Sequence, residues 1–448
     1  MTQIKIEPVT RIESHGRLNL EFHDDGSINR AYFTTPVLRG FEAFLVGAPI
    51  ERIPWLASRV CGVCPVSHAV SASQAIEKAL NVDIPETAKV LREMLVLSQL
   101  IDSHALSFVV LSLPDLVPKD DAHSIVDIKS EYPDLFEKGM RLHTIGRSLT
   151  ATMGGRNVHP VNVRLGGMGA NPLLENSLDY SSLLSEAQGI VEIFLDQLKN
   201  WFEEKSDFIS SIGSVPSNYM ALSDNGKVSF TRGQVRLIDS GGQEIAMFDP
   251  NVYTDYIKEM TVPETFMKAP FLKSLGPEKG ILRVNCLARA NVNGSFGTEM
   301  ADNELKELLN KWGNPLEHSL LSHWVRLIEA IYACERLQVL LDSPDAKRHD
   351  TSVPVTAKDG EAAGVLEAPR GTLFHHYAIT NGFVTKANLL VATQNNQLAI
   401  NDALKQSVVF GKEQGLDQDR LIRNCEMVLR AYDPCISCST HITKVGGD

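Results

Sequence analysis

The sequence predicts an α+β protein, mainly α, in which a large helical bundle carries peripheral β hairpins. Apolar residues recur at helical spacing over most of the chain, while strand-like alternation is confined to a few stretches. Two CxxC pairs lie near opposite ends of the 448 residues, Cys61 with Cys64 and Cys435 with Cys438. They can form one four-thiolate site only if the fold joins these ends, so we expect both pairs to meet in the core.

Composition narrows the possible classes of function. The chain is 43% apolar and 22% charged, as in ordinary globular proteins. Its net charge of −12, with no long basic run, argues against nucleic acid or an anionic membrane surface as the partner. Seven cysteines, thinly spread, favour reduced thiols over a disulfide framework. The N-terminus lacks the basic and apolar segments of a signal peptide, so a cytoplasmic location is expected.

The N-terminal stretch predicts a β hairpin over about residues 3–34. Leu18, Leu20 and Phe22 alternate with polar residues up to a turn at 24–26, and a second alternating run follows the turn. Alternation of this kind is typical of an antiparallel pair with one face against the core. We therefore expect β structure before the first helix.

Two long stretches, about 37–211 and 301–441, form the predicted helical core. Apolar periodicity places the individual helices at about 68–80, 87–113, 133–150, 176–211, 301–342, 397–414 and 418–430. The helix at 87–113 is apolar enough to suggest a membrane span, but Arg92, Glu93 and Asp102 interrupt it. We therefore expect a buried bundle helix there and no membrane span.

The remaining stretches are expected to be rich in β structure. An insert over about 215–290 has turn signals between short strand-like runs, and an extended region over 364–393 has a turn at 380–382. A glycine-rich connection at 154–167 resembles neither a P-loop nor a dinucleotide-binding turn. No flavin or nicotinamide site is expected in this chain. Because there is no internal repeat or long linker, residues 1–448 are predicted to form a single domain.

The cysteine pairs predict a metal site. Thiolates prefer zinc, copper(I), nickel or iron to hard cations, and a CxxC at a loop-to-helix junction lets two sulfurs face one ion. A structural zinc site is one interpretation, although structural zinc usually closes a small local module and these pairs are separated by nearly the whole chain. A thiol redox motif at Cys61 and Cys64 and a buried redox metal are the other interpretations.

Five short motifs occur in a fixed order along the chain. They are RxCGxCxxxH and DPCxxCxxH around the two cysteine pairs, and three intermediate stretches at 7–15, 39–42 and 367–371. Together they resemble the large, catalytic subunit of nickel-iron hydrogenases, over essentially the whole chain. The opening and the first motif are most similar to the cytoplasmic multi-subunit group, which is NAD(P)-linked, electron-bifurcating or linked to heterodisulfide reductase. The resemblance implies the large-subunit fold of that family.

The resemblance also implies an activity, the reversible heterolytic cleavage of H2 to protons and electrons. The centre would be a nickel–iron pair whose iron carries CO and CN ligands, with Cys64 and Cys438 bridging the two metals. Nickel would be held by four thiolates, those of Cys61, Cys64, Cys435 and Cys438. Electrons would leave through an iron–sulfur small subunit, and then through flavin or iron–sulfur subunits to a soluble acceptor. The other cysteines are isolated singles that cannot form a cluster: Cys286, Cys334 and Cys425.

Several side chains gain expected roles from their places in the motifs. Glu13 would receive the proton from Cys435. Arg370 would lie over the open metal positions and against a cyanide, because a guanidinium offers fixed donors to a small anion. His68 would donate to a bridging sulfur. A histidine or an arginine taken alone is more often an ordinary core or surface residue, so the motif carries each of these assignments.

Two expectations concern the walls of the pocket. Ala392 stands where the family usually has a proline, and Thr393 retains the hydroxyl that would donate to the second cyanide. The family commonly has a His-Asp-His string in its long second helix, and here residues 102–104 read Asp-Ser-His. An acidic member of the polar lid over the metals is therefore missing or displaced, which leaves Asp433 with Arg370 to form that lid.

The resemblance implies a second metal ion near the C-terminus. Glu42, the backbone carbonyl of Leu389 and His441 would bind magnesium or a similar hard ion, with iron or manganese as substitutes. Residues 442–448 extend beyond His441, where relatives carry a segment that a peptidase removes after nickel insertion. This tail is a possible maturation segment.

Two alternatives to a hydrogenase come from other classes of protein. A non-catalytic relative, like the quinone-site subunit of respiratory complex I, would share the fold and serve as an electron-transfer scaffold. Such relatives lack the four cysteines that are present here. A structural zinc protein is the other alternative, and metal analysis would separate it from a nickel–iron enzyme.

Overall fold

The computed structural model describes residues 2–117, 124–175 and 177–440 of the chain. Helices form about half of these residues and strands most of the remaining regular structure. The strands within the described residues are β1 (Thr2–Ile6), β2 (Arg17–Phe22), β3 (Ile28–Thr34), β4 (Val163–Arg164), β5 (Gly167–Met168), β6 (Asn218–Asp224), β7 (Lys227–Val228), β8 (Gln234–Ile238), β9 (Glu244–Phe248), β10 (Ile257–Thr261), β11 (Lys268–Leu272), β12 (Leu282–Arg283), β13 (Gly360–Ala368), β14 (Gly371–Thr380) and β15 (Phe383–Leu390).

The helices follow the same chain order. They are α1 (Phe41–Leu45), α2 (Ile53–Ser58), α3 (Pro65–Ala79), α4 (Glu86–Leu106), α5 (Leu113–Leu116), α6 (Ile125–Glu131), α7 (Pro133–Gly154), α8 (Pro172–Glu175), α9 (Tyr180–Glu204), α10 (Ser206–Ser211), α11 (Tyr253–Tyr256), α12 (Gly276–Lys279), α13 (Cys286–Asn293), α14 (Glu299–Trp312), α15 (Ser322–Leu341), α16 (Ala392–Asn395), α17 (Gln397–Glu413), α18 (Gln418–Tyr432) and α19 (Ile436–Ser439).

The chain opens with a three-stranded antiparallel sheet in the order β1-β2-β3. The β2-β3 hairpin turns at 24–26, where a hairpin was expected, and its Leu18 and Leu20 side chains are fully buried. β1 adds a third strand beside β2. It lies almost wholly within the stretch that was expected to be β structure, and its Ile4 and Ile6 alternate with polar residues and pack against the core, but a third strand was not expected.

The main core is a helical bundle in which α4 packs against α7, and α15 packs against α4 and α9. Rings of Phe202 on α9 and Trp324 on α15 stack with their centroids 5.7 Å apart. α4 runs through a π-helical turn, Ser107–Ser112, into α5. The combined segment Glu86–Leu116 has the length and composition of a membrane span. However, 78% of its most apolar 18-residue stretch is buried inside the protein, as in a core helix.

A three-stranded antiparallel sheet, β13-β14-β15, lies against α3 at the centre of the molecule. Most of β13 and β14 is buried, so this sheet is internal, unlike the peripheral hairpins that we expected. Gly364 allows the close approach, because a Cβ there would lie 2.5 Å from the Ser71 carbonyl oxygen of α3. A second sheet, β12-β6-β8-β9 with β7 beside β6, and the β10-β11 pair occupy 218–283, within the expected β-rich insert.

Candidate metal centre

Four buried thiols converge between α3 and α19. Cys61 lies in the loop before α3 and Cys64 caps that helix, while Cys435 caps α19 and Cys438 lies within it. The sulfurs all lie within 4.8 Å of one another, and none of the four residues is more than 4% exposed. The closest pairs are Cys435–Cys438 at 2.9 Å, Cys64–Cys438 at 3.2 Å and Cys61–Cys435 at 3.3 Å. The expectation that both CxxC motifs meet in the core is confirmed.

Local sequence explains how each cysteine pair is presented. Pro65 occupies the first turn of α3, where its missing N–H and fixed φ favour a helix start directly after Cys64. The backbone N–H groups of Val63 and Cys64 donate to the Cys61 sulfur at 3.2 and 3.3 Å. At the other pair, α18 ends at Asp433 in the left-handed conformation, which turns the chain sharply into Cys435. Local backbone structure in each motif therefore fixes the positions of its own two sulfurs.

Arg39 joins the two cysteine loops, a role that we did not predict for it. Its guanidinium donates to the carbonyl of Val60 in the first loop and, at 3.2 Å, to that of Ser437 in the second. The backbone N–H groups of Arg39 and Gly40 both donate to the Thr440 carbonyl at 3.1 Å. Its place in the motif at 39–42 marked Arg39 as part of the family pattern, but it did not show that Arg39 contacts both cysteine loops.

The thiols are electrostatically coupled. Burial raises the pKa of Cys61, but hydrogen bonds from Cys435, Cys438 and Cys64 outweigh burial and hold its pKa well below the ordinary value. Burial raises the pKa of Cys438 well above its ordinary value. Four adjacent sulfurs cannot all carry charge in a dry interior unless a cation lies among them. The cluster is therefore suited to thiolate ligation of a soft metal ion.

A polar lid covers the thiols. Arg370 donates to the Asp433 carboxylate at 3.0 Å and to the Ser103 hydroxyl at 3.3 Å, and all three residues are buried. Burial lowers the pKa of Arg370, but the charge of Asp433, followed by that of the thiolates, raises it well above the ordinary value. The expected pair Arg370 and Asp433 is thus brought together, with Ser103 as a third member.

The acidic neighbour of Ser103 faces elsewhere. Asp102 lies 2.6 Å from the ring of His143 on α7, and His104 pairs with the buried Glu329 at 2.7 Å. Ser103 is therefore the member of the 102–104 string that reaches the lid. This arrangement leaves Asp433 as the carboxylate that pairs with Arg370 in the described part of the site.

A small cavity of about 10 Å³, room for about one water molecule, lies between the lid and the sulfurs. Leu373, Val391, Ala392 and Thr393 line it together with Cys64, Cys435 and Cys438. The Thr393 hydroxyl oxygen accepts the backbone N–H of Cys435 at 2.8 Å, so its own hydrogen is available to a ligand. Ala392 contributes only a methyl group to this wall.

His68, which also lines the cavity, begins a chain of contacts between side-chain rings. His68 Nε2 lies 3.3 Å from the Cys438 sulfur, as its motif position predicts. Its Nδ1 lies 2.9 Å from His375 Nε2, and His375 Nδ1 lies 2.6 Å from the Tyr377 hydroxyl. Sequence reasoning missed His375 and Tyr377. Their spacing of two residues on a strand was a signal that they share one face.

Glu13 reaches the site through a serine. Its backbone forms an isolated bridge with Cys435, which brings the two chain ends together. Its carboxylate accepts hydrogen bonds from the Ser437 N–H at 2.9 Å and from the Ser437 hydroxyl at 2.7 Å. That hydroxyl oxygen lies 3.9 Å from the Cys435 sulfur. The expected Glu13–Cys435 association is therefore indirect, with one hydroxyl between the carboxylate and the thiol.

The expected hard-ion site contains a lysine. The Glu42 carboxylate accepts the N–H of Leu389 at 2.8 Å and pairs with Lys268 at 2.8 Å, and Lys268 also contacts Glu259 and Asn388. Burial raises the pKa of Glu42 above its ordinary value, although the charge of Lys268 opposes this effect. These oxygens suit a hard cation, but they bind the Lys268 ammonium, and a magnesium site here stays a prediction. His441 and residues 442–448 lie outside the described residues.

The described residues fit a nickel–iron centre. The donor set is four buried thiols, which selects soft metals. Beside the cavity, Arg370 Nε and Asp433 Oδ2 are buried and have no hydrogen-bond partner among the described residues. A buried cation with an unused donor is what small anionic ligands of a metal require. The site therefore offers soft thiolate ligands on one side of the cavity and the fixed guanidinium donors of Arg370 on the other.

Comparison with known proteins agrees with this site. A nickel-dependent hydrogenase family model matches residues 39–131 and 245–441, and a HoxL-like model matches 3–36. The chain is 34% identical to one of the subunits of the F420-non-reducing hydrogenase vhc of Methanococcus voltae, covering 98% of this chain and 95% of that protein. It is 31% identical to the beta subunit of the NAD-reducing hydrogenase HoxS of Cupriavidus necator, covering 98% and 94%.

A solved structure extends the agreement to the fold. The crystal structure of an NAD+-reducing nickel-iron hydrogenase in the H2-reduced state superposes with a TM-score of 0.93 at 28% identity, over 98% of this chain and 100% of that one. This match confirms the predicted fold class. With two thirds of the chain inside one family model and the thiols clustered as that family's chemistry requires, the chain belongs to the nickel-dependent hydrogenase family.

Proposed function

We propose that this chain is the catalytic subunit of a cytoplasmic hydrogenase that cleaves H2 reversibly and heterolytically to protons and electrons. One observation carries the proposal, namely four buried thiols beneath a buried guanidinium, with a cavity between them. A nickel–iron centre bound there would supply the electrophilic metals that polarise H2 and accept its electrons. The remaining steps belong to side chains of this chain.

The four thiolates divide into two roles. Cys64, Cys435 and Cys438 line the cavity, and Cys61 is not among the cavity-lining residues that the structure describes. Cys64 and Cys438, which lie 3.2 Å apart, would be shared by nickel and iron, as the family resemblance implies. Cys61 and Cys435 would then serve as terminal ligands of nickel. A terminal thiolate keeps a lone pair that can take a proton.

The proton leaves through Ser437 and Glu13. The Ser437 hydroxyl already donates to Glu13, so its oxygen can accept a proton from Cys435 while its own hydrogen passes to the carboxylate. Glu13 is half-buried and can exchange protons with solvent. Each transfer in this path joins groups at or near hydrogen-bond distance, as proton relay requires.

The polar lid and the pocket wall hold the ligands of the centre. Arg370 keeps its charge because Asp433 lies against it, and its free Nε is available to an anionic ligand. The Thr393 hydroxyl is available to a second ligand. Apolar side chains of Leu373 and Val391 exclude water from the same cavity. These contacts support an iron that carries CO and CN.

Electrons need a partner protein. The remaining cysteines, Cys286, Cys334 and Cys425, are buried, and among the described residues they belong to no group of potential metal ligands that could bind an iron–sulfur cluster. The relatives are named as subunits of hydrogenases. We therefore propose that the first electron acceptor is an iron–sulfur small subunit, with further flavin or iron–sulfur subunits beyond it.

Infrared spectroscopy with metal analysis tests the proposal. The purified complex should contain nickel and iron, and show stretching bands of bound CO and CN. Its Cys64→Ser variant should lose these bands, whereas Cys334→Ser, at a buried cysteine outside the cluster, should keep them. Zinc as the sole metal, with no CO or CN bands, would contradict the proposal and favour a structural zinc site. Co-purification of an iron–sulfur polypeptide tests the partner.

A further inference from the structure

Three buried side chains form a hydrogen-bonded chain that begins at Cys438 and ends within β14. His68 Nε2 lies 3.3 Å from the sulfur, His68 Nδ1 lies 2.9 Å from His375 Nε2, and His375 Nδ1 lies 2.6 Å from the Tyr377 hydroxyl. None of the three residues is more than 1% exposed. Of the three, only His68 has a role that its motif position predicts.

The direction of this chain follows from the chemistry of its two ends. A thiolate that binds metal can only accept a hydrogen bond, so His68 must carry its hydrogen on Nε2. In a neutral imidazole Nδ1 is then an acceptor, and it requires a donor from His375 Nε2. His375 Nδ1 becomes an acceptor in turn, and the Tyr377 hydroxyl supplies the last donor. Each bond fixes the tautomer of the next ring.

Tyr377 is suited to end the chain. A phenol hydroxyl can donate without any change of charge, and burial raises the pKa of Tyr377, so it keeps its proton. Its place on β14 is rigid, because both neighbouring strands pair with β14 around it. His375 lies two residues away on the same face of that strand.

We propose that Tyr377 and His375 are positioning residues that lock the tautomer of His68, and so maintain an N–H···S hydrogen bond to Cys438. The proposal rests on the proposed function, in which Cys438 is shared by nickel and iron. A hydrogen bond to a metal-bound sulfur withdraws electron density from that sulfur and its metals. Tyr377 therefore tunes the centre through two intervening rings, without touching it.

The Tyr377→Phe variant removes the last donor. His375 can then carry its hydrogen on Nδ1, which reverses the chain and turns the unprotonated Nε2 of His68 toward the sulfur. The iron becomes more electron-rich, so the CO band is expected to shift to lower wavenumber or to gain a second component there. Tyr219→Phe is the matched control, because Tyr219 is equally buried and donates to a backbone carbonyl in another cluster. Its bands should coincide with those of the wild type.

Two substitutions of His375 test the same chain independently. A Gln side chain places an amide N–H2 group near the position of the imidazole Nε2, so His375→Gln should retain the donor to His68 and the wild-type band positions. His375→Leu fills the space without a donor and should shift the bands as Tyr377→Phe does. Unshifted bands in both Tyr377→Phe and His375→Leu would overturn the inference. Absence of CO and CN bands in the wild type would instead contradict the proposed function.

Discussion

Glu13 offers a way to separate proton transfer from metal binding. The Glu13→Gln variant keeps an amide oxygen that can accept the Ser437 N–H, so the local fold should persist. An amide cannot take up and release a proton at neutral pH, so we expect H2 oxidation to fall about 100-fold or more. Turnover should be measured beside nickel and iron content, which should not change.

The control for Glu13 lies in the same N-terminal segment. Glu7 is exposed and pairs with Arg17, so Glu7→Gln removes a carboxylate without touching the site. Its turnover should equal that of the wild type. Ser437→Ala should slow turnover as Glu13→Gln does, because it removes the hydroxyl between thiol and carboxylate. Unchanged activity in Glu13→Gln would rule out this exit.

Asp433 is predicted to matter for stability as well as for the lid. The Asp433→Asn variant keeps the shape of the side chain and tolerates the left-handed backbone there, but it removes the charge that pairs with Arg370. A buried cation without its partner should lower the free energy of unfolding by about 3 kcal/mol. Urea unfolding of the chain measures this change.

The comparison for Asp433 is an ion pair on the surface. Arg141 and Glu186 lie 2.6 Å apart, with side chains 46% and 42% exposed. Water already solvates both charges, so Glu186→Gln should cost less than about 1 kcal/mol. Equal effects of the two substitutions would mean that the lid pair is not desolvated as the structure indicates.

At the scale of elements, the contact between α3 and β13 is expected to be the most sensitive to an added methyl group. A Cβ at Gly364 would lie 2.5 Å from the Ser71 oxygen and 2.6 Å from the Ala75 nitrogen, both in the backbone of α3. Gly364→Ala must therefore move a helix that carries Cys64 and His68. We expect a loss of about 1–3 kcal/mol in unfolding free energy, with reduced turnover.

A glycine on α9 provides the control for Gly364. No heavy atom lies within 4 Å of a Cβ built at Gly189. Gly189→Ala should raise the free energy of unfolding by about 0.5–1 kcal/mol, because alanine loses less backbone freedom in a helix. A stabilised Gly364→Ala would show that α3 and β13 can separate freely.

Lys268 connects three elements around Glu42. It contacts Glu42 of α1, Glu259 of β10 and Asn388 of β15. Lys268→Met should leave two carboxylates facing each other without a cation, at a cost of about 2 kcal/mol in unfolding free energy. If these oxygens can bind a hard ion, millimolar magnesium should restore the melting temperature. Calorimetry with and without magnesium would show whether the lysine and the ion compete.

For the whole molecule, buried neutral histidines predict a loss of stability in acid. Burial, and then the charge of Arg326, lower the pKa of His323 well below its ordinary value of 6.5. The unfolded chain therefore binds this proton more readily than the folded chain. The contribution of neutral His323 to the free energy of unfolding is fully present above pH 6.5. It is lost as the pH falls toward the pKa of His323 in the folded chain, at up to about 1.4 kcal/mol per pH unit.

His323→Asn tests this pH dependence. The Asn oxygen can still accept from Arg326, which lies 3.3 Å from the ring nitrogen, but the side chain does not titrate. Urea unfolding between pH 5 and 8 should show a shallower slope below about pH 6.5 than in the wild type. Measurements at pH 8, where both side chains are neutral, give the packing cost of the substitution alone. Parallel slopes would contradict the prediction.

How far the sequence predicts this molecule depends on the range of each interaction. Helical periodicity was visible locally, although the helix predicted from residue 68 begins at Pro65, and the four cysteines indicated their chemistry by type and spacing. β1 lies in the stretch that was predicted to be β structure, but alternation within the strand did not show that it pairs with β2 as a third strand. Arg39, Ser437 and Tyr377 were missed because their contacts join elements that are far apart in sequence, and periodicity within one element does not show which elements touch.

The separation of the two cysteine pairs along the sequence also sets the order in which the thiols of the centre are synthesised. Cys61 and Cys435 are separated by 374 positions, as are Cys64 and Cys438. At ordinary rates of about 5–20 residues per second, a ribosome needs roughly 20 to 75 s to add that much chain. Throughout this interval the first pair of thiols has no partners, and any ion that it meets is held by two sulfurs at most. Synthesis itself therefore delays closure of the centre until the second pair has been made.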